Sequence, residues 1–129
     1  MNLLDARDKL AAVLAPTDDD DPTVLVSLVD AIEPPALMLG WADPWLEPEG
    51  LCFTIGHIVV TAVAARLMPG EGVAKLEELV DYTLRRTRAD MVNPGLWQLT
   101  DVSGPRVFLM AKTNYLACRI NLRITVGES

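Results

Sequence analysis

The chain has 129 residues, half of them hydrophobic and 5% aromatic, with 18 acidic against 11 basic side chains and a formal net charge of -7. That length makes one domain, residues 1–129, with a real core and no room for a second, and the apolar fraction excludes a disordered chain. The negative charge argues against direct duplex binding and against docking on an anionic membrane, because phosphate contacts reward the opposite sign.

The start, MNLLDARDKL, lacks the basic-then-apolar order of a signal peptide. With Cys52 and Cys118 each inside an apolar run, a reduced, cytosolic protein is expected, its thiols acting as small hydrophobes. MNLLDARDKLAAVLAP predicts an amphipathic helix. Leu3, Leu4, Arg7, Leu10, Ala11 and Leu14 lie along one side, Asp5, Asp8 and Lys9 face water, and Pro16 ends it. In TDDDDP, Asp18 to Asp21 stand side by side. An EF-hand loop needs alternate acidic positions, a central Gly and a closing Glu, so this run is expected to be a solvated, repulsive loop.

TVLVSLVDAI is compatible with a strand or a short helix; its β-branched character, with Val24, Val26 and Leu28 on one side, points to a strand. In EPPALMLGW the double proline stops a helix and ALMLGW is expected as a short buried strand. ADPWLEPEG follows as an expected loop. It carries Trp45, Glu47 and Glu49, and the tryptophan is either a contact residue or folds back onto the sheet.

LCFTIGHIVVTAVAARLM is the most apolar stretch. Gly56, Thr54, Val59, Val60 and Val63 favour a strand, while Arg66, the Gly and Thr content and the lack of flanking anchors argue against a membrane span. As a strand it places Phe53, Ile55, His57, Val59, Thr61 and Val63 on one face, with Cys52, Thr54, Gly56, Ile58, Val60, Ala62 and Ala64 on the other. Neither face is polar, so both are expected to be covered, one by the protein's own helices and the other partly by a neighbouring subunit.

MPGEG punctuates, and GVAKLEELVDYTLRRTRAD predicts a helix. Its seam is Val73, Leu76, Val80 and Leu84, widened by Leu79 and Thr83; Glu77 and Glu78 precede Arg85, Arg86 and Arg88, as the helix dipole prefers. NPG predicts a turn. LWQLTDVSGPRVFLM gives a strand, a turn at SGP and an unassigned apolar run. TNYLACRINLRITV alternates cleanly, with Leu116, Cys118, Ile120, Leu122, Ile124 and Val126 opposite Ala117, Arg119, Asn121, Arg123 and Thr125. The order α-β-β-β-α-β-β predicts an α+β domain, two main helices packed on a mixed, mainly antiparallel sheet.

Chemical motifs are sparse. PGEGVAKLEEL fails the P-loop spacing and would aim Glu71 at a phosphate. Cys52 and His57, five apart on a strand, fall on opposite faces; Cys118 reaches His57 only in a favourable strand register. One histidine and two separated cysteines make a poor metal set. No catalytic, cofactor or metal site is expected, and a compact acidic domain with surplus apolar surface has the character of an assembly component.

The layout as a whole resembles the tail terminator (tail completion) proteins of long-tailed bacteriophages. The resemblance runs from the helix LLDARDKLAAVL and the proline-led strand PPALMLGW through the long strand FTIGHIVVTAVAAR. The helix VAKLEELVDYTLRR and the closing strand NYLACRINLRITV complete it. It implies a hexameric ring that caps the tail, stops polymerisation of the major tail tube protein and receives the head-side connector or stopper. DNA would pass through the lumen without specific binding, there would be no cofactor and no catalysis, and the protein would be made in the host cytoplasm and end in the virion. The Asp18–Asp21 run is not a feature that the resemblance leads one to expect.

Six copies of charge -7 would carry -42, a lumen from which DNA is repelled. Arg119 and Arg123 are expected to pair with Glu47 and Glu49 of a neighbour, or simply to solvate one sheet face. The competing readings are another small connector such as a stopper, an enzyme using His57 with Cys118 or aspartates, and a monomeric module that binds one apolar partner.

Overall fold

A computed structural model of the protein describes residues 3–26, 34–49, 53–66, 72–90, 96–110 and 113–127. Its elements are α1 (Leu3–Leu14), β1 (Thr23–Leu25), β2 (Ala36–Glu49), β3 (Phe53–Arg66), α2 (Gly72–Arg88), β4 (Gln98–Val102), β5 (Arg106–Met110) and β6 (Thr113–Gly127). The strands form one sheet in the order β1-β2-β3-β6-β4, with β5 also pairing to β6. Among the described residues only the β1–β2 pair is parallel. The α+β class and the element order are as expected from the sequence, and the unassigned run after SGP is β5.

The centre of the sheet is the β3–β6 ladder, which runs from Phe53↔Gly127 to Arg66↔Tyr115. Its alternation sorts the faces as the sequence predicts. Ile58, Val60, Ala62 and Ala64 of β3 and Cys118, Ile120, Leu122 and Ile124 of β6 point into one core. α1 meets that core through Ala6, Leu10 and Leu14, and α2 through Leu76, Leu79 and Tyr82. Both helices therefore cover the same sheet face, burying the apolar area that drives folding. A second cluster, Ala36, Val63, Tyr115 and Ala117, lies on the opposite face, with Leu25, Met38 and Phe108 packed against it.

The helices are rotated slightly from their expected seams. Leu4 is 51% exposed, because the buried row Ala6–Leu10–Leu14 leaves it about 120° round the helix. Val73, in the first turn of α2, is 50% exposed, and the seam runs through Leu76, Leu79, Thr83 and Thr87. The two threonines are satisfied within the helix, each hydroxyl donating to the carbonyl four residues back, Leu79 at 2.9 Å and Thr83 at 3.0 Å.

The strands depart from expectation more. The segment 42–49 is not a loop: β2 continues to Glu49, resuming its pairing at Leu46↔Gly56 after a register shift that begins at Trp41↔Ile58. The shift leaves five steps on β2 against two on β3, a bulge that takes in Pro44 where no ladder donor is needed. β1 pairs only with Ala36–Met38, so Pro48 lies on an edge strand, where proline is tolerated. β1 is also shorter than TVLVSLVDAI implied: it ends at Leu25, and Val26 is exposed. The predicted turn NPG, most of MPGEG, Leu28 and Cys52 lie outside the described residues.

Candidate assembly surface

The face of the sheet away from the helices carries the polar side of β6. Arg119, Asn121 and Arg123 alternate there, the two arginines about 13 Å apart along the strand. Arg119 is exposed and its guanidinium lies 4.8 Å over the Phe108 ring, a cation–π contact that holds it without consuming its donors. Arg123 is half-buried, and the register sets it opposite His57. Asn121 donates a short hydrogen bond to Asp101 of β4. A hollow of about 520 Å³ opens over this region, floored by Gly40, Val59 and Thr61 and flanked by Arg106, Arg119 and Asn121. Gly40 contributes to it directly, since a Cβ there would meet nothing within 4 Å.

Beside this face lies an open sheet edge. β4 and β5 run end to end along β6: Gln98↔Arg123 to Val102↔Ile120, then Arg106↔Ala117 to Met110↔Thr113. Ser103 bridges the break, donating its backbone N–H to the Arg119 carbonyl at 2.9 Å and accepting the Arg119 N–H on its hydroxyl at 3.2 Å. Among the described residues no strand pairs with the outer side of β4 or β5. Yet Leu99, Val102, Val107 and Leu109 are exposed there, Leu109 at 72%. An open edge with apolar side chains in water is a template for association unless something covers it.

The opposite side of the sheet is acidic. Asp18, Asp19 and Asp20 are exposed on the turn that leads from α1 into β1. The fourth member of the run is not merely solvated, as the sequence had implied. The Asp21 carboxylate accepts the backbone N–H groups of Thr17 at 2.8 Å and Asp18 at 3.0 Å, the Thr17 hydroxyl at 3.1 Å and Arg86 of α2 at 3.2 Å. Those bonds, led by the Thr17 N–H, hold its pKa below the ordinary 3.8, against the opposing effect of burial. A second tie lies close by. The Tyr82 hydroxyl donates to the Leu14 carbonyl at 2.7 Å, capping the end of α1. α2 thus braces the turn and the end of α1 that leads into it, while Asp18, Asp19 and Asp20 stay exposed.

The nucleophile reading fails on geometry. Cys118 pairs with Ala62 and faces the helices, whereas His57 pairs with Arg123 five residues away on the other face. Burial also pushes the Cys118 thiol pKa up from 9.0, the wrong direction for an activated nucleophile. Among the described residues no group of three or more His, Cys, Asp and Glu could hold a metal ion, and no helix is long and apolar enough to cross a membrane.

Of the residues singled out in the sequence, Arg119 and Arg123 do share one sheet face. Trp45, Glu47 and Glu49 lie in β2, Glu47 paired with Ile55 and Glu49 with Phe53, and their side chains fall outside the described residues. Sequence reasoning missed Arg106, Phe108 and the β4–β5 edge. Their signal was the unassigned run RVFLM, whose alternation of Arg106 and Phe108 with Val107 and Leu109 marks a strand next to the arginine-bearing face. No protein-family model matches the chain, and no curated protein matches its sequence.

Proposed function

We propose that the protein is a structural subunit of a phage tail terminator: a ring former that caps the tail tube, ends its polymerisation and joins it to the head-side connector. The observation that supports this reading best is the open β4–β5 edge. A domain of this size has helices enough to cover one sheet face, and it leaves Leu99, Val102, Val107 and Leu109 exposed on two strands whose outer side has no partner among the described residues. Such an edge fits a protein whose native state includes a neighbour. The layout of helices and strands set out above adds the resemblance in order and spacing. The polar face of β6, with Arg119 and Arg123, is in this reading contact surface rather than catalytic surface.

The reading is tested by mixing the purified protein with self-polymerising tail tube protein and measuring tube length by electron microscopy. Capping predicts shorter tubes with added density at one end. Tubes of unchanged length, with no bound protein at either end, would sink it.

A further inference from the structure

The sheet has two unlike edges, and they face each other along the same rows of residues. One row runs Thr23–Ala36–Val63–Ala117–Arg106, from β1 across β2, β3 and β6 to β5. Two residues along β3 lies a second, Leu25–Met38–Thr61–Arg119. At the β1 end of these rows, three to five residues before Thr23 and on the helix side of the sheet, sits the braced turn with Asp18, Asp19 and Asp20 exposed. At the other end sits Arg106 on β5, about 19 Å away across four strand spacings, and Arg119 lies one strand in, on β6, three spacings away; both are exposed and beside the bare apolar edge. Neither guanidinium has a carboxylate within salt-bridge distance among the described residues, although the chain as a whole is acidic.

Given the ring reading above, on which this rests, we infer that the subunit contact is head-to-tail. The β4–β5 edge of one copy, with Arg106 and Arg119, docks on the β1 edge and the Asp18–Asp20 turn of the next. The two edges of the sheet are flanked by opposite charge, Arg106 and Arg119 near one and the Asp18–Asp20 turn near the other, so a second copy brought edge to edge is complementary to the first. Because the two surfaces differ, the contact is heterologous: each copy keeps one free surface of each kind until the ring closes. It also gives the aspartate run a task. Asp21 and Arg86 fix the turn, and the other three carboxylates are left pointing outward. Arg119 is likewise held ready by the Phe108 ring.

Two charge-reversed proteins test this. One is Arg106→Glu with Arg119→Glu, which spoils the β4–β5 side. The other is Asp18→Lys with Asp19→Lys and Asp20→Lys, which spoils the β1 side and leaves Asp21 alone. Circular dichroism and thermal melts establish that each folds. Native mass spectrometry should find each variant at monomer mass at concentrations where the wild type is assembled, with association weakened at least about tenfold. An equimolar mixture should recover the wild-type mass, since every Glu-bearing edge then meets a Lys-bearing turn and every native edge a native turn. Either variant assembling alone like wild type, or a mixture of folded variants that stays monomeric, would overturn the contact while leaving the ring intact. A wild type that remains monomeric, alone and with tail tube protein, would overturn the ring reading itself and this contact with it. Should a reversal misfold, Arg106→Gln with Leu109→Ser removes two exposed side chains at the same edge. It must weaken assembly with the fold intact, or the inference fails.

Discussion

Replacing Tyr82 with phenylalanine removes one hydroxyl and leaves its surroundings in place. The ring is buried against the end of α1, and the hydroxyl donates to the Leu14 carbonyl at 2.7 Å, with the Ala15 carbonyl 3.4 Å away. These carbonyls close a helix that has no N–H left to offer them. Without the hydroxyl a buried acceptor loses its donor, which costs about 1–2 kcal/mol. No cavity adds to this, since phenylalanine keeps the ring and the Arg86 guanidinium that lies 4.9 Å over it. Tyr82→Ala empties the site and should cost about 3–5 kcal/mol. Urea titrations of wild type and both variants measure the two losses directly. A Phe variant within about 0.3 kcal/mol of wild type would refute the hydrogen-bond argument. One as damaged as the Ala variant would show that the hydroxyl fixes more than one carbonyl.

The same residue predicts a pH dependence. Burial raises the Tyr82 pKa above 10.0, and Asp21 adds to the rise while Arg86 and Arg85 oppose it. A group whose pKa is raised on folding stabilises fully below its unfolded pKa, and that stability is lost as pH rises through the folded value. Wild type should therefore weaken above pH 10 more steeply than Tyr82→Phe.

Three further outcomes follow from the geometry. Asp21 has the opposite sign: its lowered pKa stabilises the fold above the unfolded value and is lost as pH falls through the folded one, so acid titration of wild type should show a loss that Asp21→Asn lacks. Cys118, buried with a raised pKa, should resist iodoacetamide in the native state and react promptly once the protein is unfolded in urea; rapid native labelling would place it outside the core. Gly40→Ala should be neutral or stabilise by about 0.4–1 kcal/mol, since nothing lies within 4 Å of the added methyl; a loss beyond about 1 kcal/mol in a thermal melt would contradict the open hollow above it.

Where period and burial agreed, the fold was legible in the sequence. β6 alternates so cleanly that its core row, Cys118 to Ile124, could be named from the sequence, and the two faces of β3 were assigned correctly. The errors share a cause, which is that local composition was overruled by neighbours. Residues 42–49 have the prolines and carboxylates of a loop, but an adjacent long strand and a bulge keep them in the sheet. Val73 fits the period of α2 and is exposed because the first turn overhangs the core. Asp21 looks like Asp18 to Asp20 in the sequence; only the fold brings Arg86, 65 residues away, to its carboxylate. The candidate surface was half legible. Arg119 and Arg123 stood out by alternation, whereas Arg106 acquires its place only when β5 pairs with β6.

The central claim is that this domain works as one member of a closed ring. Native mass spectrometry of the purified protein, alone and with tail tube protein, tests it most directly. A hexamer in either condition is the predicted result. A monomer in both, across the concentration range measured, would contradict it.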